Sequence, residues 1–228
     1  MRRSASWHVK KVLLSLIVVG AVSCFTFTSA YALLNSQTQN NRGRISSGTL
    51  TFSNKVNALS ACFSYGAGSS GNANTGCSPL FTSSTLMYPG TPATAQVTIT
   101  NDGSLDGTAL SVFMPSCSAV TSPGATSPGG GNPCATNGAQ IYIQETNSSF
   151  TPTSCLFPTV GGTCGFSAST VAFFATSANT AASAYSLGSG PAHGASRYFI
   201  IGMQLPSTAS NTLQAEEALF DLTWHLTT

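Results

Sequence analysis

Alternating apolar and polar residues predict β-strands at several places in the chain. Ala95, Val97 and Ile99 alternate with glutamine and threonine, the period-2 pattern of a half-buried strand. The same alternation recurs at 110–114 and at 220–226, and the later segment is the most clearly amphipathic strand of all. Glycine, asparagine and proline separate these segments, and these residues favour turns. The pattern therefore predicts short antiparallel strands joined by tight connections.

Other segments complete the predicted architecture. Strand candidates of weaker periodicity lie at 48–52, 61–65, 140–144 and 198–205. The segment 167–184 is ambiguous, because its alanine and phenylalanine residues also permit a short helix. Many short strands with little helix predict an all-β fold. We expect an antiparallel, jelly-roll-like β-sandwich with long disulfide-closed loops and room for one short helix.

The amino terminus has a different pattern. Arg2, Arg3, Lys10 and Lys11 precede an uncharged, largely apolar run from Val12 to Leu34. A basic start followed by an apolar run is typical of an export signal. Ala30 and Ala32 flank Tyr31, which makes an A-x-A site for a signal peptidase.

Cleavage at that site predicts the domain organisation. Residues 1–32 would be the signal peptide, 33–46 a flexible arm, and 47–228 a single β-sandwich domain. The arm is polar apart from Leu33, Leu34 and Ile45, and Asn35 begins its polar part. Two alternatives remain open. The leader is long enough to stay as a membrane anchor, and Cys24 could be a lipidation cysteine.

Composition restricts the classes of partner. Only 6% of the residues are charged, and 42% are hydrophobic, so the chain lacks the composition of a disordered protein. Without residues 1–32, four cations (Arg42, Arg44, Lys55, Arg197) face six acids, so the net charge is 4 − 6 = −2. No basic stripe remains for phosphate contacts, which argues against nucleic-acid binding. Contact with a membrane is expected only through an uncleaved leader.

Six cysteines follow the leader: Cys62, Cys77, Cys117, Cys134, Cys155 and Cys164. An even number in an exported chain is typical of disulfides. Sequence neighbours enclose loops rich in glycine, proline or serine, which favours the pairs 62–77, 117–134 and 155–164. A zinc site is the alternative, but the chain has no C-x-x-C pair.

Catalytic and metal-binding patterns are weak. The histidines beyond the leader are His193 and His225, and the chain has neither an H-E-x-x-H nor a G-x-S-x-G motif. Asp221 and His225 would share a strand face, but four strand residues separate them by about 13 Å, too far for one metal. Turn chemistry explains the acids at 102 and 106, and solvation before a strand explains those at 216 and 217. We expect no enzyme activity, no metal and no cofactor.

Several segments together resemble the TasA/camelysin family of biofilm-matrix fibre proteins, whose signal is handled by a SipW-type peptidase. Besides the leader, the matching segments are 47–52, Pro89-Gly90, 97–105, 110–113, 199–205, Asn211 and 218–224. The resemblance implies a jelly-roll fold, secretion to the surface or matrix, and fibres built by donation of the N-terminal arm. The six cysteines depart from the fibre protein's pattern, and the zinc motif of relatives described as metalloendopeptidases is missing.

Three functions follow as hypotheses. The leading one is a secreted or cell-surface structural subunit that self-associates through its arm or binds a surface or matrix protein. The second is a surface binding module or adhesin for glycans, which exposed aromatics such as Tyr142 or Tyr185 on a sheet face would favour. The third, least favoured, is a secreted hydrolase.

Overall fold

The computed structural model describes Lys11 and residues 48–65, 72–74, 76–82, 89–123, 125–160, 163–167 and 170–228. Gly48–Thr228 forms one compact unit. The predicted signal peptide, its cleavage site at Ala30, Tyr31 and Ala32, and the arm with Leu33, Leu34, Asn35 and Ile45 lie outside the described residues.

Thirteen strands and one α-helix build the described part of the chain. The strands are β1 (Phe52–Val56), β2 (Cys62–Phe63), β3 (Ala93–Asn101), β4 (Ala109–Phe113), β5 (Cys117–Thr121), β6 (Gln140–Thr146), β7 (Pro152–Phe157), β8 (Thr159–Val160), β9 (Thr163–Cys164), β10 (Tyr185–Ser186), β11 (Ser196–Gln204), β12 (Glu216–Phe220) and β13 (Thr223–Thr227). The helix α1 spans Thr170–Thr176, and single 3-10 turns lie at Ala181–Ser183 and Asn211–Leu213. The all-β prediction and the short helix are confirmed.

One layer is a six-stranded sheet in the order β2-β1-β3-β11-β6-β7, with every neighbouring pair antiparallel. Its central strands β3 and β11 are nine residues each. Ala95, Val97 and Ile99 are buried as their alternation predicted. Tyr142 of β6 lies directly across Gly202 of β11, where an added Cβ would come within 2.1 Å of its ring. Glycine is therefore required at that point of close approach.

The facing layer is smaller. Strands β10, β4 and β13 form one ladder, and β12 pairs with β5. Because β5 follows β4 after three residues and β13 follows β12 after two, the two pairs form one long, interrupted ladder. Leu110, Val112, Trp224 and Leu226 from this layer join Phe199 and Ile201 of the large sheet in one buried cluster. The two layers therefore pack face to face as a β-sandwich-like core. The finer jelly-roll topology stays a prediction.

Two predictions about strand bounds are corrected. The segment 220–226 is not one strand, because pairing stops at Phe220 opposite Cys117 and resumes at Thr223 opposite Phe113. The partner strand is interrupted there by Pro115, which has no N–H to donate. The faces were predicted correctly, since all four apolar side chains of 220–226 contact the core cluster.

The second correction concerns 48–52. The strand begins only at Phe52, and the residues before it pair with a turn instead. Thr49 O accepts hydrogen bonds from the backbone of Ser104 and Leu105, and Thr51 O accepts from Asp102 and Gly103. These bonds fix the point where the chain enters the domain.

Candidate functional site

A cavity of about 1410 Å³ lies beside β12 and β13. We call it the open groove. One wall is formed by β1 and residues 72–74 and 77–82, the floor by residues near the end of β11, and the other wall by residues 214–226. The lining includes partly buried apolar side chains: Leu50, Phe52, Leu80, Phe81, Leu205, Phe220 and Leu222. An apolar groove of this size is typical of a binding surface.

Hydrogen bonds stiffen the wall beside β1. Ser64 Oγ accepts from Phe52 N at 3.1 Å and donates to Asn72 Oδ1 at 2.7 Å. Asn72 Nδ2 donates to Leu50 O at 2.5 Å, and Asn74 Nδ2 donates to Phe63 O at 2.9 Å. The side-chain amides of Asn72 and Asn74 thus connect residues 72–74 to the backbone just before β1 and to β2.

Two polar atoms of groove-lining residues lack a partner. Asn54 Oδ1 and Trp224 Nε1 are buried and form no hydrogen bond among the described residues. Asn54 lies opposite Ile99 and so shares the core-facing side of the sheet, and Trp224 packs on Phe199 with ring centroids 5.2 Å apart. An unpaired buried polar group costs about 1–3 kcal/mol.

The three disulfides all lie on edge strands. Cys62 on β2 bonds to Cys77, Cys117 on β5 to Cys134, and Cys155 on β7 to Cys164. These are the pairs that the sequence favoured. Strands β2 and β7 are the two edges of the large sheet. The bridge between Cys117 and Cys134 holds a loop beside β5. By contrast, residues 206–228, which contain the β12–β13 edge, include no cysteine.

Acidic side chains mark that unbridged edge. Glu216, Glu217 and Asp221 all line the open groove. The first two were predicted to precede a strand, but the structure places them within β12. Glu216 Oε1 accepts a hydrogen bond from Gly130 N at 2.7 Å.

The predicted chemical residues are not brought together. His193 lies in a loop, where its backbone N donates to Asp106 Oδ1 at 2.7 Å and its Nδ1 contacts Gly103 O. His225 is a half-buried residue of β13. The described residues contain no group of three or more His, Cys, Asp or Glu side chains that could hold a metal ion.

The two tyrosines that would mark a glycan platform are engaged within the domain. Tyr142 packs edge-on against Phe166, and burial raises the pKa of its hydroxyl. Tyr185 donates its hydroxyl to Leu156 O at 2.9 Å and packs against Phe157. The exposed aromatic pair is instead Phe63 and Tyr65, whose ring centroids are 5.3 Å apart at the β2 edge.

Sequence reasoning missed one central ion pair. Arg197 Nε bonds to Glu145 Oε1 at 2.7 Å, and its other nitrogens donate to Ser189 O and Leu187 O. This arginine fastens the chain after β10 to the large sheet. Its only sequence signal is a lone charge at the start of a strongly apolar strand.

No protein-family model matches this chain, and comparison with curated proteins found no similar sequence. No helix among the described residues has the length and apolar character needed to cross a membrane. Three disulfides are typical of proteins that fold in an oxidising compartment.

Proposed function

We propose that this protein is a secreted or cell-surface structural subunit that assembles by inserting the arm of one copy into the open groove of the next. The observation that carries the proposal is the unbridged β12–β13 edge beside an apolar groove. An unpaired strand edge accepts another strand through backbone hydrogen bonds, while pockets beside it accept alternate side chains.

Strand direction favours a second copy over the chain's own arm. β1 begins opposite Asn101 and β13 ends opposite Ala109, so both lie at the end of the sandwich where 102–108 connects β3 to β4. A segment that paired with β13 and continued directly into Gly48 would run parallel to β13. Every pairing between described strands is antiparallel. An arm from another copy can enter in the antiparallel direction. Because donor and acceptor surfaces differ, such contacts repeat into a filament.

The composition of the arm fits this role. Residues 33–46 contain few apolar side chains, so their departure from the parent domain removes little core. Ile45, Leu33 and Leu34 are the residues available to fill the apolar groove. Asn54 and Trp224 also line the groove, and their buried polar atoms lack partners among the described residues.

Deletion of the arm tests the proposal directly. Chain 33–228 should form large assemblies seen by electron microscopy and light scattering, whereas chain 47–228 should stay monomeric. The deleted chain still accepts an arm but donates none, so small amounts of it should shorten filaments of the intact chain. A peptide of residues 33–46 should do the same, and a scrambled peptide should not. Assembly of the deleted chain alone, or an intact chain that remains monomeric at high concentration and low pH, would contradict the proposal.

A glycan-binding module is the second candidate, and the exposed Phe63–Tyr65 pair favours it. Tyr65 is 53% exposed and Phe63 is 38% exposed, at one edge of the large sheet. Aromatic faces bind apolar faces of sugars, so Tyr65→Ser should abolish any signal on a glycan array. Leu59→Ser, which changes another exposed apolar residue, serves as the matched control. An array without signal for the intact chain removes this candidate.

A further inference from the structure

Charge is distributed unequally between the arm and the groove edge. Of the four cations in residues 33–228, two (Arg42 and Arg44) lie in the arm, which contains no acid. Of the six acids, three (Glu216, Glu217 and Asp221) lie within β12 and the residue that follows it. The segment proposed to enter the groove is therefore basic, and the edge that would receive it is acidic.

Two of the three acids at β12 have no ion-pair partner within the described part of the domain. Glu145 is paired with Arg197, and Glu216 accepts the hydrogen bond from Gly130. Glu217 and Asp221 form no ion pair within the part of the chain that the structure describes. Phe220 faces the core, so alternation along β12 places Glu217 on the opposite face of the strand, together with exposed Leu219. Asp221 is exposed.

Alternation along the arm supplies a matching face. Arg42 and Arg44 are two residues apart, so in an extended strand both point to one side, with side-chain origins about 7 Å apart. Gly43 and Ile45 then point to the other side. An added strand beside β12 that turns Ile45 toward Phe220 would turn both arginines toward the strand face that carries Glu217.

We propose that Arg42 and Arg44 of one copy form ion pairs with Glu217 and Asp221 of the next, and that these pairs set the direction and register of the inserted arm. This inference rests on the proposed arm insertion and adds its specificity determinants. Arg42 and Arg44 are two residues apart, whereas Glu217 and Asp221 are four residues apart. Long arginine side chains can span this difference in spacing. Ion pairs at an exposed edge contribute mainly to orientation, choice of partner and rate of encounter.

Charge reversal tests the pairing. In chain 33–228, Arg42→Glu with Arg44→Glu, or Glu217→Arg with Asp221→Arg, places like charges together. Each double variant should raise the critical concentration for assembly by about tenfold or more. The quadruple variant, in which both faces are reversed, should assemble again near the original concentration. Lys55→Glu, which reverses a cation on the outer face of β1, is the matched control and should change little.

Two further readouts separate electrostatics from damage to the fold. Circular dichroism and thermal unfolding of all variants should match the intact chain, because the changed residues lie outside the core cluster. Raising NaCl from about 50 to about 500 mM should weaken assembly of the intact and quadruple chains, since exposed charges are screened.

The outcomes distinguish this inference from the proposed function. Assembly that requires the arm but ignores salt and charge reversal would overturn the ion pairs and leave arm insertion standing. Failure of the quadruple variant to recover would also overturn them. Absence of arm-dependent assembly in the intact chain would overturn both proposals. Binding of an unrelated basic peptide as tightly as the arm would overturn the assigned partner.

Discussion

The edges of this β-sandwich fall into two kinds. At β2, β5 and β7 a disulfide ties a loop or hairpin beside the strand. Along β12 and β13 the described chain has no such bridge, although both this strand pair and the bridged Cys62 and Cys77 line the open groove. Natural proteins usually cover, shorten or charge exposed edges to prevent unwanted pairing. A long edge without a bridge is therefore a candidate binding site.

Polar groups beside the bridged β2 edge and polar groups elsewhere in the groove also differ in how fully they are hydrogen-bonded. In the segment after β2, Ser64, Asn72 and Asn74 form a hydrogen-bonded network that joins it to its neighbours. Elsewhere in the lining of the same groove, Asn54 and Trp224 have buried polar atoms without a partner among the described residues. The β2 side of the groove is therefore hydrogen-bonded within one chain, whereas we propose that the β12–β13 edge gains contacts from a second one.

The largest expected effect comes from removing a bridge from a covered edge. Cys117→Ala with Cys134→Ala should lower the free energy of unfolding by roughly 3 kcal/mol, because the closed loop no longer restricts the unfolded chain. The residues joined are 17 apart in sequence. Denaturant unfolding monitored by Trp224 fluorescence measures the loss, and the released β5 edge should add nonspecific association.

A matched variant removes the shorter bridge. Cys155→Ala with Cys164→Ala opens a loop of sequence separation 9 and should cost somewhat less. Equal stability of both variants and the intact chain would show that the bridges do not hold the edges.

The next effect concerns the open edge itself. Ser122 N donates to Ala215 O, so alternation directs the backbone of Glu217 and Leu219 toward β5 and that of Ala218 toward the open side. Ala218→Pro removes only an outward N–H, which edge strands tolerate. It should weaken arm-dependent assembly by about tenfold while the unfolding midpoint changes little.

The neighbouring position supplies the control. Leu219→Pro removes an N–H that points into the β5 ladder, so it should destabilise the domain by roughly 3 kcal/mol. Its side chain is half exposed and contributes little by itself. If Ala218→Pro assembled normally, β12 would not be the strand that receives the arm.

The amphipathic strands were the easiest part to predict from sequence. The period-2 pattern at 95–100 identified the buried face of β3, because both neighbours of that strand are continuous. The same reasoning placed the faces at 220–226 correctly but missed the interruption at Asp221 and Leu222. That break depends on Pro115 in a partner strand about a hundred residues away, which no local pattern reveals.

The site was harder to predict than the fold. Cysteine spacing indicated the three bridges, because each pair encloses a turn-rich loop. The open groove is lined by residues far apart in the sequence, from Leu50 to Leu226, so no local pattern indicates it. Asn54 carried a weak signal, as a polar residue on the core-facing side of β1, but its missing partner is visible only in three dimensions.

The smallest effect concerns that asparagine. Asn54→Leu removes a buried oxygen without a hydrogen bond, so it should stabilise chain 47–228 by about 1 kcal/mol. Thr146→Val removes another such oxygen, on β6 away from the groove, and should stabilise the domain similarly. Only Asn54→Leu should weaken assembly of chain 33–228, because the entering strand would lose a hydrogen-bond acceptor there. Thermal unfolding and light scattering measure the two effects. If both substitutions left assembly unchanged, the unpaired oxygen of Asn54 would be a cost of the fold and would have no part in receiving the arm.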